Sequence, residues 1–266
     1  LHSNLFRQPE GGLSQSPFFI LDTMPYSKYF RPDQKLLLRP LRDDQERIEN
    51  LSAYVVRLAE DVICLYFPYE NRPGEEYPFE PEMPVELVGE ALGLGIRITG
   101  NFQRQLDRDQ VEIRLNNDLQ AFQRRIHPRG DVTVGLRYTR GHGALRTFRS
   151  QWEKNVRILA GQRSLEKLGH FPRVAINLGT GGLRFAIKSS VQVADLCMVL
   201  IQLQPENTPI CALAEVVWIA EEDDDQAEKR TAGLQFINIL KSDQQKIETF
   251  LRETRTLAES PSENPS

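Results

Sequence analysis

Three arginines, Arg124, Arg125 and Arg129, crowd into the segment Gln123-Arg-Arg-Ile-His-Pro-Arg129. That residue type at that density can hold an anion. A guanidinium is permanently charged and planar, grips a phosphate or a purine edge with two donors at once, and stacks on a base, whereas lysine offers a point charge. Pro128 biases His127 away from the helical region, so the arginines fan out from a loop or extended segment instead of lining one helix face. Downstream, Asn177-Leu-Gly-Thr-Gly-Gly182 comes after an apolar, strand-like run. It sets an amide side chain beside a turn of small residues, where Gly179 and Gly182 let a ligand approach the backbone and Gly179 tolerates a positive φ. An Arg-x-x-x-Arg spacing alone is also what a solvated, arginine-rich surface shows. The two elements together define a candidate anion site.

Other chemistries find no support. Gly179-Thr-Gly-Gly182 imitates a nucleotide-binding glycine loop, but the last glycine of GxGxxG would fall on Arg184. Residues 183–187 read as a strand, and both dinucleotide and P-loop sites need a helix N-terminus there. The histidines (His2, His127, His142, His170) show no HExxH and the cysteines no CxxC, so no metal site is expected. There is no GxSxG elbow, and no carboxylate pair stands out for acid–base work, so catalysis is not expected. Cys64, Cys197 and Cys211 are odd in number and set in apolar surroundings, which favours core packing in a reducing compartment. Glu221-Glu-Asp-Asp-Asp225 reads as a solvated hairpin tip.

The elements that must position the arginines are short strands. Alternation and Gly/Pro punctuation place strands over 35–39, 52–58, 62–67, 85–92, 96–102 and 111–115, then over 131–138, 173–177, 183–187, 198–203, 210–220 and 233–240. Such a series indicates barrels or sandwiches, not alternating βαβ units. Phe148, Trp152, Val156 and Leu159 recur at helical spacing inside a segment of about 139–170, and that stripe suits core packing. Ser242 and Gln245 form a possible capping box before a last helix with Ile247, Phe250, Leu251 and Thr254 on one face. After Leu257 the composition is too polar to order itself.

The two motifs resemble the RxxxR and [D/N]xSxxG elements of the PilZ domain, with Arg125 and Arg129 in the first and Asn177, Gly179 and Gly182 in the second. The resemblance continues through Leu183–Ile187, Ala214–Trp218 and Gly233–Phe236 to the last helix, and the preceding segment looks like the N-terminal barrel of flagellar-brake-type relatives. It departs in two places: Gly179 stands at the serine position, and the motifs are separated by the 139–170 insertion. The fold implied is mainly β, with two consecutive small barrels, a split-barrel-like N-terminal domain and a six-stranded PilZ barrel, plus an inserted and a C-terminal helix. The organisation expected is an extension over 1–30, a first barrel over 31–120, a PilZ domain over 121–257 and a tail over 258–266. The resemblance also implies a cyclic di-GMP receptor, with Arg124, Arg125 and Arg129 on phosphates and guanine edges, Asn177 on a guanine or bracing the turn, and Gly179 and Gly182 giving close approach. No catalysis and no cofactor are implied. A downstream protein, such as a flagellar motor component, would read the bound state. The alternative is a degenerate relative that has lost the nucleotide and acts as an adaptor, with Gly179 and the insertion in its favour.

Composition agrees with that class. The chain has 266 residues, 40% hydrophobic and 26% charged, enough for about two domains. A net charge of −4 argues against DNA or RNA as partner. No run approaches the roughly 18 apolar residues of a membrane span, and no secretory signal opens the chain, so a cytoplasmic location is expected.

Overall fold

The alternating runs become strands because one side of each is apolar and must be buried, and their regular reversal leaves antiparallel pairing as the short-range solution. The computed structural model describes residues 19–20, 26–41, 46–69, 73–74, 76–123, 129–141, 144–161, 168–188, 190–220 and 229–259. The first strands are β1 (Phe19–Ile20), β2 (Lys35–Pro40), β3 (Arg47–Glu49), β4 (Leu51–Ala59), β5 (Val62–Tyr66), β6 (Pro84–Ala91), β7 (Leu94–Asp107), β8 (Gln110–Leu115) and β9 (Gln120–Phe122). Next come β10 (Arg129–Gly141), helix α1 (Leu145–Ala160), β11 (Arg173–Gly179), β12 (Gly182–Lys188), β13 (Leu196–Gln202), β14 (Ile210–Ile219), β15 (Lys229–Leu240) and helix α2 (Lys241–Glu259).

Two six-stranded barrels result. In the first, the order β7-β6-β2-β4-β5-β8 closes through β7 on β8, while β9 and β1 extend from β7. Register shifts in the long β7 between Phe102 and Arg104 and between Gln105 and Asp107 bend it so that it can serve two neighbours. In the second, β12-β11-β10-β13-β14-β15 closes through β12 on β15. The expected mainly β, two-barrel fold with two helices is the observed one. A short exchange ties the barrels together: β3, which lies between two strands of the first barrel, pairs with β15 of the second at Asn238↔Glu49, Ile239↔Ile48 and Leu240↔Arg47.

Each barrel is filled by its inward residues. Val132, Val134, Ile176, Leu178, Leu183, Phe185, Val199 and Phe236 belong to the second core. The first core does not stop at its own barrel. It continues through Leu145, Trp152 and Leu159 of α1 onto Leu196, Met198, Cys211, Leu213 and Ile237, which point outward from β13, β14 and β15. The apolar stripe of the inserted segment is therefore core, as its spacing indicates, and Trp152 is also fixed by its Nε1 donating to the Cys211 carbonyl at 3.0 Å.

A fully buried carboxylate, Glu215 on β14, sits in this interface. It accepts from Lys35 Nζ at 3.1 Å and from the Tyr69 hydroxyl at 2.9 Å, and that hydroxyl in turn accepts from the Ser52 amide at 2.8 Å. Burial first, and then the Glu215 charge, push the Tyr69 phenol well above its ordinary range, which keeps it a donor.

Helix α2 succeeds β15 without a loop, so Ser242 lies inside its first turn and does not cap it. The Lys241 amide instead donates to the Glu46 carbonyl at 2.8 Å, which satisfies one of the helix's free N-terminal donors. Ile247 and Leu251 seat α2 on the second core. The acidic run at 221–225 and residues 260–266 of the expected tail lie outside the described residues, as does most of the expected N-terminal extension.

Candidate functional site

Inward residues of β10, β11 and β12 fill the second barrel, so their neighbours in sequence project outward. Register then assembles two lateral rows on that outer face. The first joins Asp131 to Asn177, Asn177 to Arg184, Arg184 to Gly233 and Gly233 to Trp218. The second, two residues further along, joins Arg129 to Gly179, Gly179 to Gly182, Gly182 to Gln235 and Gln235 to Glu215.

In the first row Asn177 Nδ2 donates to Asp131 Oδ1 at 2.8 Å, and Arg184 Nη2 stands 3.9 Å from the same oxygen. Arg184 is half-exposed and Asp131 is exposed, so the guanidinium has room to take another anion. At the row's end the indole of Trp218 lies over Gly233: a Cβ there would stand 2.1 Å from Trp218 Nε1. Trp218 is 41% exposed, which leaves ring surface for stacking. An open groove bordered by Thr133, Ala175, Asn177, Arg184, Ala186 and Thr231 runs beside this row.

The second row explains both motif glycines. A Cβ on Gly179 would stand 2.9 Å from Arg129 Cγ, so the arginine's aliphatic stem lies across the glycine and the guanidinium is carried toward the Asn177 turn. Gly179 has no positive φ; its contribution is space. A Cβ on Gly182 would stand 2.1 Å from the Leu234 carbonyl oxygen, so this glycine allows β12 to press against β15. Close approach at Gly182 is thus first a strand–strand matter. The turn that closes the second row, from β11 to β12, is held by Gln244 Nε2 of α2 donating to the Thr180 carbonyl at 2.8 Å and by the Phe236 amide donating to the Gly181 carbonyl at 2.9 Å.

Of the residues singled out in the sequence, Arg129, Asn177, Gly179 and Gly182 meet on this edge. Arg124 and Arg125 lie outside the described residues, on the connection that leads from β9 into β10. Asp131, Arg184 and Trp218 join the edge without having been singled out by either motif. Arg184 carried a readable signal, since in the strand Gly182–Lys188 it has the outward parity of Gly182. Among the described residues no group of three or more His, Cys, Asp or Glu side chains could hold a metal ion. Nor, among them, is any helix long and apolar enough to cross a membrane.

The fold and this edge define a two-barrel β protein whose second barrel presents arginine, amide and indole groups on one outer face. Residues 123–253 match the family model described as PilZ domain, so the second barrel, with the helix that follows it, is a PilZ domain. Similar solved structures include the Bacillus subtilis inhibitor of motility MotI/DgrA, at 16% identity and a TM-score of 0.34, covering 87% of this chain and 99% of that one. Another is Escherichia coli YcgR in complex with c-di-GMP, at 12% identity and a TM-score of 0.32, covering 84% and 87%. A third is the K. pneumonia MrkH–c-di-GMP complex, at 14% identity and a TM-score of 0.30, covering 85% and 89%. No curated protein matches the chain.

Proposed function

We propose that the chain is a cyclic di-GMP receptor whose ligand lies on the outer face of the second barrel. The observation that carries this reading is the convergence, within a matched PilZ domain, of Arg129, Asn177 and Arg184 beside the half-exposed Trp218. Arg129, joined by Arg124 and Arg125 from the adjoining connection, engages phosphates and guanine O6/N7 edges. Asn177 orients a base edge. Trp218 offers a stacking platform, and Arg184 a second cation. No covalent step is involved. Capture of the ligand fixes the relative orientation of the barrels, so that a downstream protein meets a defined surface. A bacterial, cytoplasmic setting and a motility output belong to the same reading.

Calorimetric titration with cyclic di-GMP beside cyclic di-AMP and GTP is the direct test. Heat with the first alone supports the receptor. One observation favours a second reading, a nucleotide-independent adaptor: Gly179 removes the hydroxyl of the PilZ motif. A folded protein giving no heat with cyclic di-GMP at high concentration would establish that reading in place of the first.

A further inference from the structure

The second lateral row does not end at the ligand edge. From Arg129 it passes through Gly179 and Gly182 to Gln235 and then to Glu215, the buried carboxylate of the inter-barrel contact. The link at Gly182 is tight, since not even a Cβ fits between β12 and the Leu234 carbonyl. Glu215 faces away from its own barrel, and both side chains that donate to it, Lys35 and Tyr69, come from the first barrel. A buried carboxylate is tolerated only when paired and hydrogen-bonded. Undocking of the first barrel would leave Glu215 without these donors and require water to enter beside β14 and β15, the strands that carry Trp218 and Gln235. A docked first barrel therefore keeps the ligand edge in order.

We infer that Lys35, Glu215 and Tyr69 form a latch that holds the barrels together and, acting through the Gln235–Gly182 row, sets the affinity of the edge for its ligand. All three are positioning residues, touching no ligand themselves. The coupling rests on the cyclic di-GMP reading; the latch does not. Because linkage is reciprocal, ligand and latch favour the same docked arrangement, and the ligand restores docking where the latch is weakened.

The test uses the full chain and two variants: Lys35→Met/Glu215→Gln, which removes both charges without stranding one, and Tyr69→Phe, a single-atom change that keeps the protein folded if the double variant does not fold. Ligand-free small-angle scattering and hydrogen exchange should show a wider range of barrel orientations and faster exchange in β14 and β15. Calorimetry should show cyclic di-GMP affinity reduced about fivefold or more, and added ligand should return the scattering profile toward that of the unmodified chain. Ligand-free scattering and exchange identical to the unmodified chain would overturn the latch. Loosened barrels with unchanged affinity would overturn the coupling. If the unmodified chain itself binds no cyclic di-GMP, the coupling falls together with the ligand reading, and the ligand-free scattering still decides the latch.

Discussion

Arg129 shows how a single side chain is positioned by what is missing opposite it. Its stem occupies the Cβ space of Gly179, so the two residues act as one unit. Arg129→Ala should weaken cyclic di-GMP binding by about 1.5–3 kcal/mol, the scale of a lost hydrogen bond from a charged donor, and Arg129→Lys should recover little of it. Restoring the PilZ serine at Gly179 is expected from the motif to preserve or strengthen binding. The geometry points the other way: any Cβ at 179 must turn Arg129 aside, so Gly179→Ser and Gly179→Val should both weaken binding. The double variant Arg129→Ala/Gly179→Ser should be no weaker than Arg129→Ala alone, a non-additivity that calorimetry reads directly. Trp218→Ala should cost about 1–3 kcal/mol if a base stacks on the indole. Unchanged affinity would remove Trp218 from the site.

Helix α1 and the strands β13 and β14 form the element that joins the barrels. Trp152 fills the space between them, and Trp152→Ala should destabilise the protein by about 3–5 kcal/mol in a denaturant titration. The same strands carry two buried thiols. Burial, then Asp195, pushes Cys197 up to about 12, and burial, then Asp243, pushes Cys211 up to about 12, each from an ordinary value of 9.0. A raised value means the folded state holds these protons more tightly than the unfolded chain does. The stability this confers is fully present below about pH 9 and is lost as pH rises toward about 12. Alkylation with iodoacetamide at pH 8 should accordingly spare both thiols in the folded protein and label them once it is unfolded.

For the whole molecule, the shared core matters more than the count of barrels. Because the first core runs through α1 onto the outer face of β13, β14 and β15, and β3 pairs with β15, neither barrel can unfold without exposing part of the other's packing. Calorimetric melting should give one cooperative transition, and two well-separated transitions would show the barrels to be independent. Cyclic di-GMP should raise that transition as mass action requires, and protect Gln123–Arg129 and Asn177–Gly182 from hydrogen exchange.

Strand positions and the inserted helix were legible in the sequence because each is written locally, as an alternation or a helical repeat, and Arg129, Asn177, Gly179 and Gly182 could be picked out because each sits in a short contiguous motif. What depends on distant partners was not. The three residues of β3 are too few to show a period, and their partners on β15 lie at the far end of the chain. Glu215 could be noticed as a lone charge in an apolar strand, but its donors Lys35 and Tyr69 stand 180 and 146 residues away. Trp218 shows the reason most plainly. Ala212, Ala214 and Val216 point inward, and simple alternation would bury Trp218 with them. The register shift of β14 against β15 between Val216 and Trp218 turns the indole outward onto the candidate edge, and such a bulge arises from how two strands close a barrel, which neither strand encodes alone.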